Sequence, residues 1–300
     1  MDKEQILYED KDIIVCHKPA GIATQTAKVG QRDMVSEVAN YLTAASKGDS
    51  KSNKRPYVGL IHRLDQPVEG ILVFAKNQKA AGELSKQISD DRMEKYYYAV
   101  VTLDRENEGP DIEFDRMSDA ELISTKTGNA LRMEKSSIKD GKILINYLYK
   151  DNKSNTSIVV NKEQSGAKIA KLHYSLLSRM PVKDFCKKYD DTIYNNIASA
   201  KTEGDISVLS DYENIDIALA QIKLITGRHH QIRVQMSNAG MSLLGDYKYG
   251  DDKTVQLARM LDQKQVALCA YKLAFNHPIT GKRMSFQKES EAEIFQIFSL

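Results

Sequence analysis

Apolar residues in this chain fall into short blocks, and the spacing within each block predicts its element. Between Ile6 and Lys18, two blocks flank an acidic turn at Glu9-Asp10-Lys11-Asp12 and predict two short strands, the second burying Ile13-Ile14-Val15-Cys16. Lys18-Pro19-Ala20-Gly21 ends that strand, because proline lacks an amide donor and glycine admits positive φ. Met34, Val35, Val38, Ala39 and Leu42 lie near helical spacing and predict a helix over 34–45. Residues 47–55 are polar and basic without periodicity, as in a loop. The run from Gly59 to Lys76 starts apolar, acquires His62, Arg63 and Asp65, turns through Pro67 and Gly70, and becomes apolar again. It predicts a strand that delivers Asp65 to its end, a loop, and a second buried strand.

Residues 77–88 follow as a helix with Ala81, Leu84 and Ile88 on one face. Lys95 to Val101 reads as a strand, which sends Tyr96 and Tyr98 to one side and Tyr97 to the other. Two polar excursions, 104–166 and 179–211, are expected to decorate a single domain spanning 1–300. Within the first, only Lys142 to Leu148 carries a clear strand pattern, and 167–178 returns to strand-like alternation. Ile217 to Leu224 is a further strand, closed by Thr226-Gly227. A helix from about Arg228 to the stop at Ala239-Gly240 would pair Arg228 with Gln231 and His229 with Arg233 on shared faces, giving it a basic, solvated side. A glycine-bracketed loop, Gly245 to Gly250, precedes a strand over Val266 to Phe275 that ends at His277-Pro278-Ile279-Thr280-Gly281.

Composition narrows the class. At 300 residues, 41% hydrophobic and 28% charged, the chain is an ordinary globular protein with room for a sizeable core. A net charge of +2, from 43 basic and 41 acidic residues, gives no global positive field, so any nucleic-acid contact requires basic groups gathered on one face. Cys16, Cys186 and Cys269 are odd in number and widely spaced, which argues against a disulfide framework or a zinc site and for a reducing compartment. The charged N-terminus and the lack of any membrane-length apolar window lead to the expectation of a cytoplasmic protein. Locally, Asp65 fits two roles, and the pattern by itself favours the first: a salt-bridged residue at a hairpin, or a reacting carboxylate at a strand-to-loop junction.

Six blocks in order carry a resemblance that spans nearly the whole chain. His62-Arg63-Leu64-Asp65, followed by Gly70-Ile71-Leu72-Val73-Phe74-Ala75-Lys76, resembles the catalytic motif of the RluA-type RNA pseudouridine synthases. Lys18-Pro19-Ala20-Gly21, the Lys95-x-Tyr97-x-Ala99 pattern, Thr226 to Arg233, Gly245 to Gly250, and Phe275 to Gly281 are similar to further blocks of that family. The resemblance implies an α+β pseudouridine synthase fold, with a mixed, mainly antiparallel sheet flanked by helices and a central cleft. It implies an isomerase that converts uridine to pseudouridine within ribosomal or transfer RNA, without a cofactor or metal. No obligate protein partner or membrane is implied, and a monomer is expected. By the same resemblance, Asp65 either attacks the ribose C1′ or removes a proton from the sugar, Arg233 is its partner, and Tyr97 packs on the target base. Arg63 and His62 fall to substrate binding, with Lys18, Arg228 and Lys248 as phosphate contacts.

Several positions depart from the family pattern. Val68-Glu69 stands where Thr-Ser is usual, adding a negative charge near Asp65, and Gln235, Ser242 and Cys269 replace a His, a Pro and a His. An N-terminal S4 RNA-binding domain is not expected, since Asp65 lies close to Met1. Two rival readings remain open on the sequence: a retaining glycosidase-like hydrolase, which requires a second carboxylate, and a catalytically degenerate RNA-binding protein.

Overall fold

The computed structural model describes the chain except residues 27, 29, 46–54, 107–140, 200–207 and 299–300. Among the described residues, eleven strands join in one sheet. They are β1 (Ile6–Glu9), β2 (Ile13–Lys18), β3 (Gly59–Leu60), β4 (Glu69–Ala75), β5 (Glu94–Asp104), β6 (Lys142–Asp151), β7 (Thr156–Val160), β8 (Lys168–Pro181), β9 (Ile215–Leu224), β10 (Leu268–Asn276) and β11 (Arg283–Gln287). The order is β1-β2-β4-β10-β5-β9-β8-β6-β7, with β3 also on β4 and β11 also on β10. Only the β4–β10 pairing is parallel; the others are antiparallel. The sheet is therefore mixed and mainly antiparallel, as the sequence implied.

Helices cover both faces: α1 (Met34–Ala45), α2 (Gln78–Ser89), α3 (Val182–Tyr189), α4 (Asp191–Ser199), α5 (Gln231–Asn238), α6 (Asp252–Met260) and α7 (Glu293–Gln296). The strand period of two divides the core between them. Ile14, Cys16, Tyr97 and Val101 point toward α1 and α5, where they meet Val38, Ile232 and Met236. Tyr96, Tyr98 and Val100 point the other way, against Phe185 of α3, Leu257 of α6 and Phe295 of α7. Ile13, Val15, Ile71 and Val73 meet Ala80 and Leu84 of α2. The tyrosine triplet thus splits between faces as its alternation predicts.

The β4–β10 junction requires a glycine. Gly70 has φ 137°, and a Cβ there would lie 2.5 Å from both the Cβ and the carbonyl oxygen of Ala270. The two backbones meet closely where the chain leaves the Asp65 loop.

Three expectations need correction. The strand before Asp65 is only Gly59–Leu60, so Asp65 sits in an irregular segment and not at a strand end. The helix after Thr226-Gly227 begins at Gln231, because His230 adopts a left-handed conformation (φ 52°) at its N-cap. That helix has no solvated basic face: Gln231, Ile232, Arg233, Val234, Gln235 and Met236 are all buried. Residues 107–140 of the first polar excursion lie outside the described residues. Its remainder is the β6–β7 hairpin, a full part of the sheet that packs against α5 and the rim of the central cavity.

Candidate active site

The loop carrying Asp65 is held from behind by the turn after β2. Thr24 Oγ donates to the Leu64 carbonyl at 2.8 Å and accepts the Leu64 N–H at 3.1 Å. The Gly21 N–H donates to the Gln66 carbonyl at 2.9 Å, and the Gln66 side-chain amide returns a bond to the Gly21 carbonyl at 3.0 Å. Lys18 completes the clamp. Its ammonium donates to the carbonyls of Pro19, Ile22 and Gln66 at 2.9, 2.6 and 3.1 Å.

The phosphate-contact expectation for Lys18 is thereby overturned. The residue is fully buried, at 0% exposure, and all three ammonium protons are used internally. Burial pulls its pKa down to about 8, against the opposing charges of Asp65 and Glu69, so at neutral pH it remains a cation that fixes the Asp65 loop. Lys18→Met keeps the stem but strands three carbonyls. It is expected to cost about 2–4 kcal/mol in denaturant unfolding and to lower activity by displacing that loop.

Asp65 opens into a cavity of about 860 Å³ also lined by Tyr97, Arg233, His229, His230 and Lys95. Its side chain is 30% exposed, with Oδ2 at 3.6 Å from Arg233 Nη1 and 3.7 Å from His230 Nε2. Burial pushes the Asp65 carboxyl above its ordinary value, and the Arg233 guanidinium is the main opposing influence. Arg233, 6% exposed, is gripped by Asp246 through two parallel bonds, Nε to Oδ2 and Nη2 to Oδ1, both 2.6 Å. Desolvation works against the Arg233 cation, but Asp246 and then Asp65 outweigh it and raise its pKa. Asp246 is itself fixed by the amides of Lys248 and Tyr249 at 3.0 and 3.1 Å, and the Tyr249 ring lies under the guanidinium at 5.0 Å.

The loop before α5 supplies the other wall. Gln231 folds back so that its amide oxygen accepts from Thr226 Oγ and the Arg228 N–H at 2.8 and 2.9 Å, while its amide nitrogen reaches the Lys171 carbonyl and Gln235. Gln235, a departure from the family pattern, is fully buried and bonds Asn146 at 2.7 Å. His230 Nδ1 meets the Tyr249 hydroxyl at 2.7 Å, and that hydroxyl also accepts the Ser157 N–H at 2.9 Å. His229 stacks on His230 with ring centroids 3.7 Å apart. Burial is the main cause that pulls both imidazoles to about 4, so each is neutral at pH 7.

Asp65, Tyr97 and Arg233 come together around one cavity, which His62, Arg63, Arg228 and Lys248 also line. The Tyr97 phenol is buried, and burial followed by the Asp65 charge pushes its pKa well up, so it stays protonated. Arg63 is exposed at the rim. Arg228 is exposed and, among the described residues, spends only its Nε, on the Ile169 carbonyl at 2.9 Å, while Lys248 reaches the Asn155 carbonyl at 2.7 Å. His62 forms wall rather than contact: Nε2 accepts the Val73 N–H at 3.5 Å, Nδ1 is sealed without a partner among the described residues, and burial holds the ring neutral, near a pKa of about 3.

Glu69 does not load the cavity with negative charge. It accepts from Ser290 Oγ and lies 3.8 Å from His17, away from the lining residues. Among the described residues no second acid is therefore free beside Asp65: Glu69 faces elsewhere and Asp246 is clamped by Arg233. Asp246, Tyr249 and His230 were not singled out from the sequence, although each lies in a block that carried the resemblance. Their roles arise from pairings across the fold that spacing does not reveal.

Among the described residues, Asp10, Asp12 and His277 form a triad with metal-ligand atoms within 4.8 Å. It does not suit a cation. His277 Nδ1 accepts the N–H groups of Ile279 and Thr280 at 3.3 and 3.1 Å, so Nε2 carries the proton and donates it to Asp10 at 2.7 Å. The lone pair that a metal would need is absent from that nitrogen.

A mixed sheet that holds a carboxylate against a clamped guanidinium, in a cavity rimmed by exposed cations, defines an enzyme built for a polyanionic substrate. The model of the family described as RNA pseudouridylate synthase matches residues 12–238. The chain belongs to that family and is an RNA pseudouridine synthase, an isomerase. It is 26% identical over 298 residues to ribosomal large subunit pseudouridine synthase D of Zymomonas mobilis, covering 99% of this chain and 72% of that one. It is 28% identical over 294 residues to an uncharacterized RNA pseudouridine synthase of Bacillus subtilis, covering 97% and 71%. Against tRNA pseudouridine synthase C of Vibrio parahaemolyticus, identity is 23% over 296 residues, covering 98% and 94%. The solved structure of human RNA pseudouridylate synthase domain containing 4 shares the fold, with a TM-score of 0.60 at 17% identity over 99% of this chain and 92% of that one. No helix among the described residues is long and apolar enough to cross a membrane.

Proposed function

We propose that this enzyme isomerises a uridine of ribosomal or transfer RNA with Asp65 as the reacting carboxylate and without a cofactor. The observation that carries the reading is the Arg233 guanidinium, 3.6 Å from Asp65 and fixed from behind by Asp246. Such a partner keeps Asp65 ionised in a closed site, and the ionised form serves either route: attack on C1′ or removal of a proton from the sugar. Tyr97, neutral and buried beside the carboxylate, offers a ring on which the target base can pack. The cavity accepts a nucleotide only after it leaves its stack, so Arg63 at the mouth is placed to contact the RNA around the flipped residue. Arg228, Lys248 and the exposed Lys150 would take phosphates along the rim. The relatives named for ribosomal and for transfer RNA support both target classes equally.

Incubation of the purified protein with RNA from a strain lacking it, followed by pseudouridine mapping, tests the reading. New pseudouridine at a defined uridine is expected. Free uracil in the products would instead indicate hydrolysis, and binding without modification a degenerate module. Ala at Arg63 and Lys150 together is expected to weaken RNA binding and to lower the slope of log affinity against log salt by about 0.7 per lost contact, read from titrations at several ionic strengths. An unchanged slope would remove those residues from the phosphate-binding set.

A further inference from the structure

Among the described residues two lysines are buried, and they differ in what they do with their charge. Lys18 satisfies three carbonyls. Lys95, only 8% exposed, makes no hydrogen bond or ion pair among the described residues; its electrostatic neighbours are Asp91, beyond ion-pair reach, and His62, which is neutral. It sits on β5 two residues before Tyr97, so both side chains leave the strand on the cavity side. Its ammonium lies 3.7 Å from where a Cβ on Gly227 would stand, and the glycine leaves that space open. Ile61, Ile88 and Leu224 supply apolar wall nearby in the same cavity. A buried cation without a partner is costly, and the fold tolerates it where a ligand will supply the partner. Burial pulls its pKa down, with Asp91 opposing.

We propose that Lys95 is a catalytic residue whose ammonium bonds a carbonyl oxygen of the target uracil and stabilises the negative charge that forms as the base leaves the ribose. The inference rests on placement of the target uridine at Asp65. When the C1′–N1 bond breaks, its electron pair stays with the base, and the resulting anion carries charge on N1, O2 and O4. The base then turns about its N3–C6 axis, which exchanges N1 with C5 and O2 with O4. The C1′–C5 bond forms as the Asp65–C1′ ester breaks or, on the other route, as the sugar regains its proton from Asp65; the C5 proton is then lost, and N1 gains one. No net charge or redox change results. A fixed donor therefore meets a carbonyl oxygen both before and after the turn, and its interaction is strongest in between, when the base is an anion. Solvated phosphates are served by the exposed rim cations. A corner nearly closed to solvent suits the flat base better.

Three readouts test this on the full chain, using the RNA found by mapping. Lys95→Met is expected to lower kcat by about 10²–10³-fold with KM nearly unchanged, and to leave Tm equal or higher, because an apolar stem replaces an unpartnered charge. Lys95→Gln, which keeps a donor and loses the charge, falls between Lys95→Met and the parent. A parental kcat in either variant, a loss confined to KM, or a lowered Tm in Lys95→Met overturns the inference. Asp65→Asn run alongside separates the two levels. If it is inactive and Lys95→Met is not impaired, only the Lys95 role fails; if Asp65→Asn is active, the site assignment itself fails.

Discussion

Asp65→Asn is expected to abolish pseudouridine formation, by at least about 10³-fold in single turnover, while it raises Tm. Both effects follow from one feature of the fold. Burial pushes the Asp65 carboxyl above its ordinary value despite Arg233. The folded protein therefore holds a proton there more tightly than the unfolded chain does. Stability contributed by protonated Asp65 is lost as pH rises through the shifted value, and at neutral pH the ionised group is a net cost. Asparagine removes that cost with almost no change of shape, but it neither attacks C1′ nor takes a proton. If Asp65 is the reacting group proposed above, kcat/KM of the parent enzyme should fall as pH drops through the same raised value, because only the carboxylate form reacts. An Asp65→Asn variant that is both active and no more stable than the parent would show Asp65 to be the hairpin salt-bridge residue that its local pattern also allowed.

That ambiguity shows what the sequence could carry. Strand alternation placed Tyr97 opposite Tyr96 and Tyr98, and the blocks around Asp65 and Arg233 marked both ends of the site. Lys18 misled because a basic residue beside Pro19 and Gly21 looks the same whether its ammonium faces a phosphate or three backbone carbonyls. The helix of Arg233 misled similarly. Gln231 and Arg233, paired with Arg228 and His229, read as a solvated face, yet both polar heads are buried with a partner from another element: the Lys171 carbonyl or Asp246. Hydropathy patterns separate polar from apolar positions and do not separate water from a buried partner. The early helix start was misplaced because a left-handed His230 is a tertiary choice, secured by the Tyr249 hydroxyl. The Glu69 departure looked hazardous only while its side chain had no known direction.

Arg233→Lys and Asp246→Asn should each lower turnover by about 10²–10³-fold and destabilise the fold by about 3–5 kcal/mol. A guanidinium can give two parallel bonds to Asp246 through Nε and Nη2 and still turn Nη1 toward Asp65. An ammonium is a point charge and cannot make both contacts in this fixed geometry. Asp246→Asn leaves Arg233 in place but replaces the anion that compensates it with a neutral amide. The freed guanidinium is then drawn onto Asp65, which lowers the Asp65 pKa, moves the acid limb of kcat/KM to lower pH, and engages the oxygen needed for chemistry. Arg233→Met combined with Asp246→Leu removes both charges together and should recover most of the lost stability in denaturant unfolding, while turnover stays absent. That split assigns the pair to positioning and charging Asp65 rather than to holding the sheet together. If the apolar pair did not restore stability, the Arg233–Asp246 bonds would be structural pins; if it restored turnover, the partner of Asp65 would have to be sought at His230, 3.7 Å away.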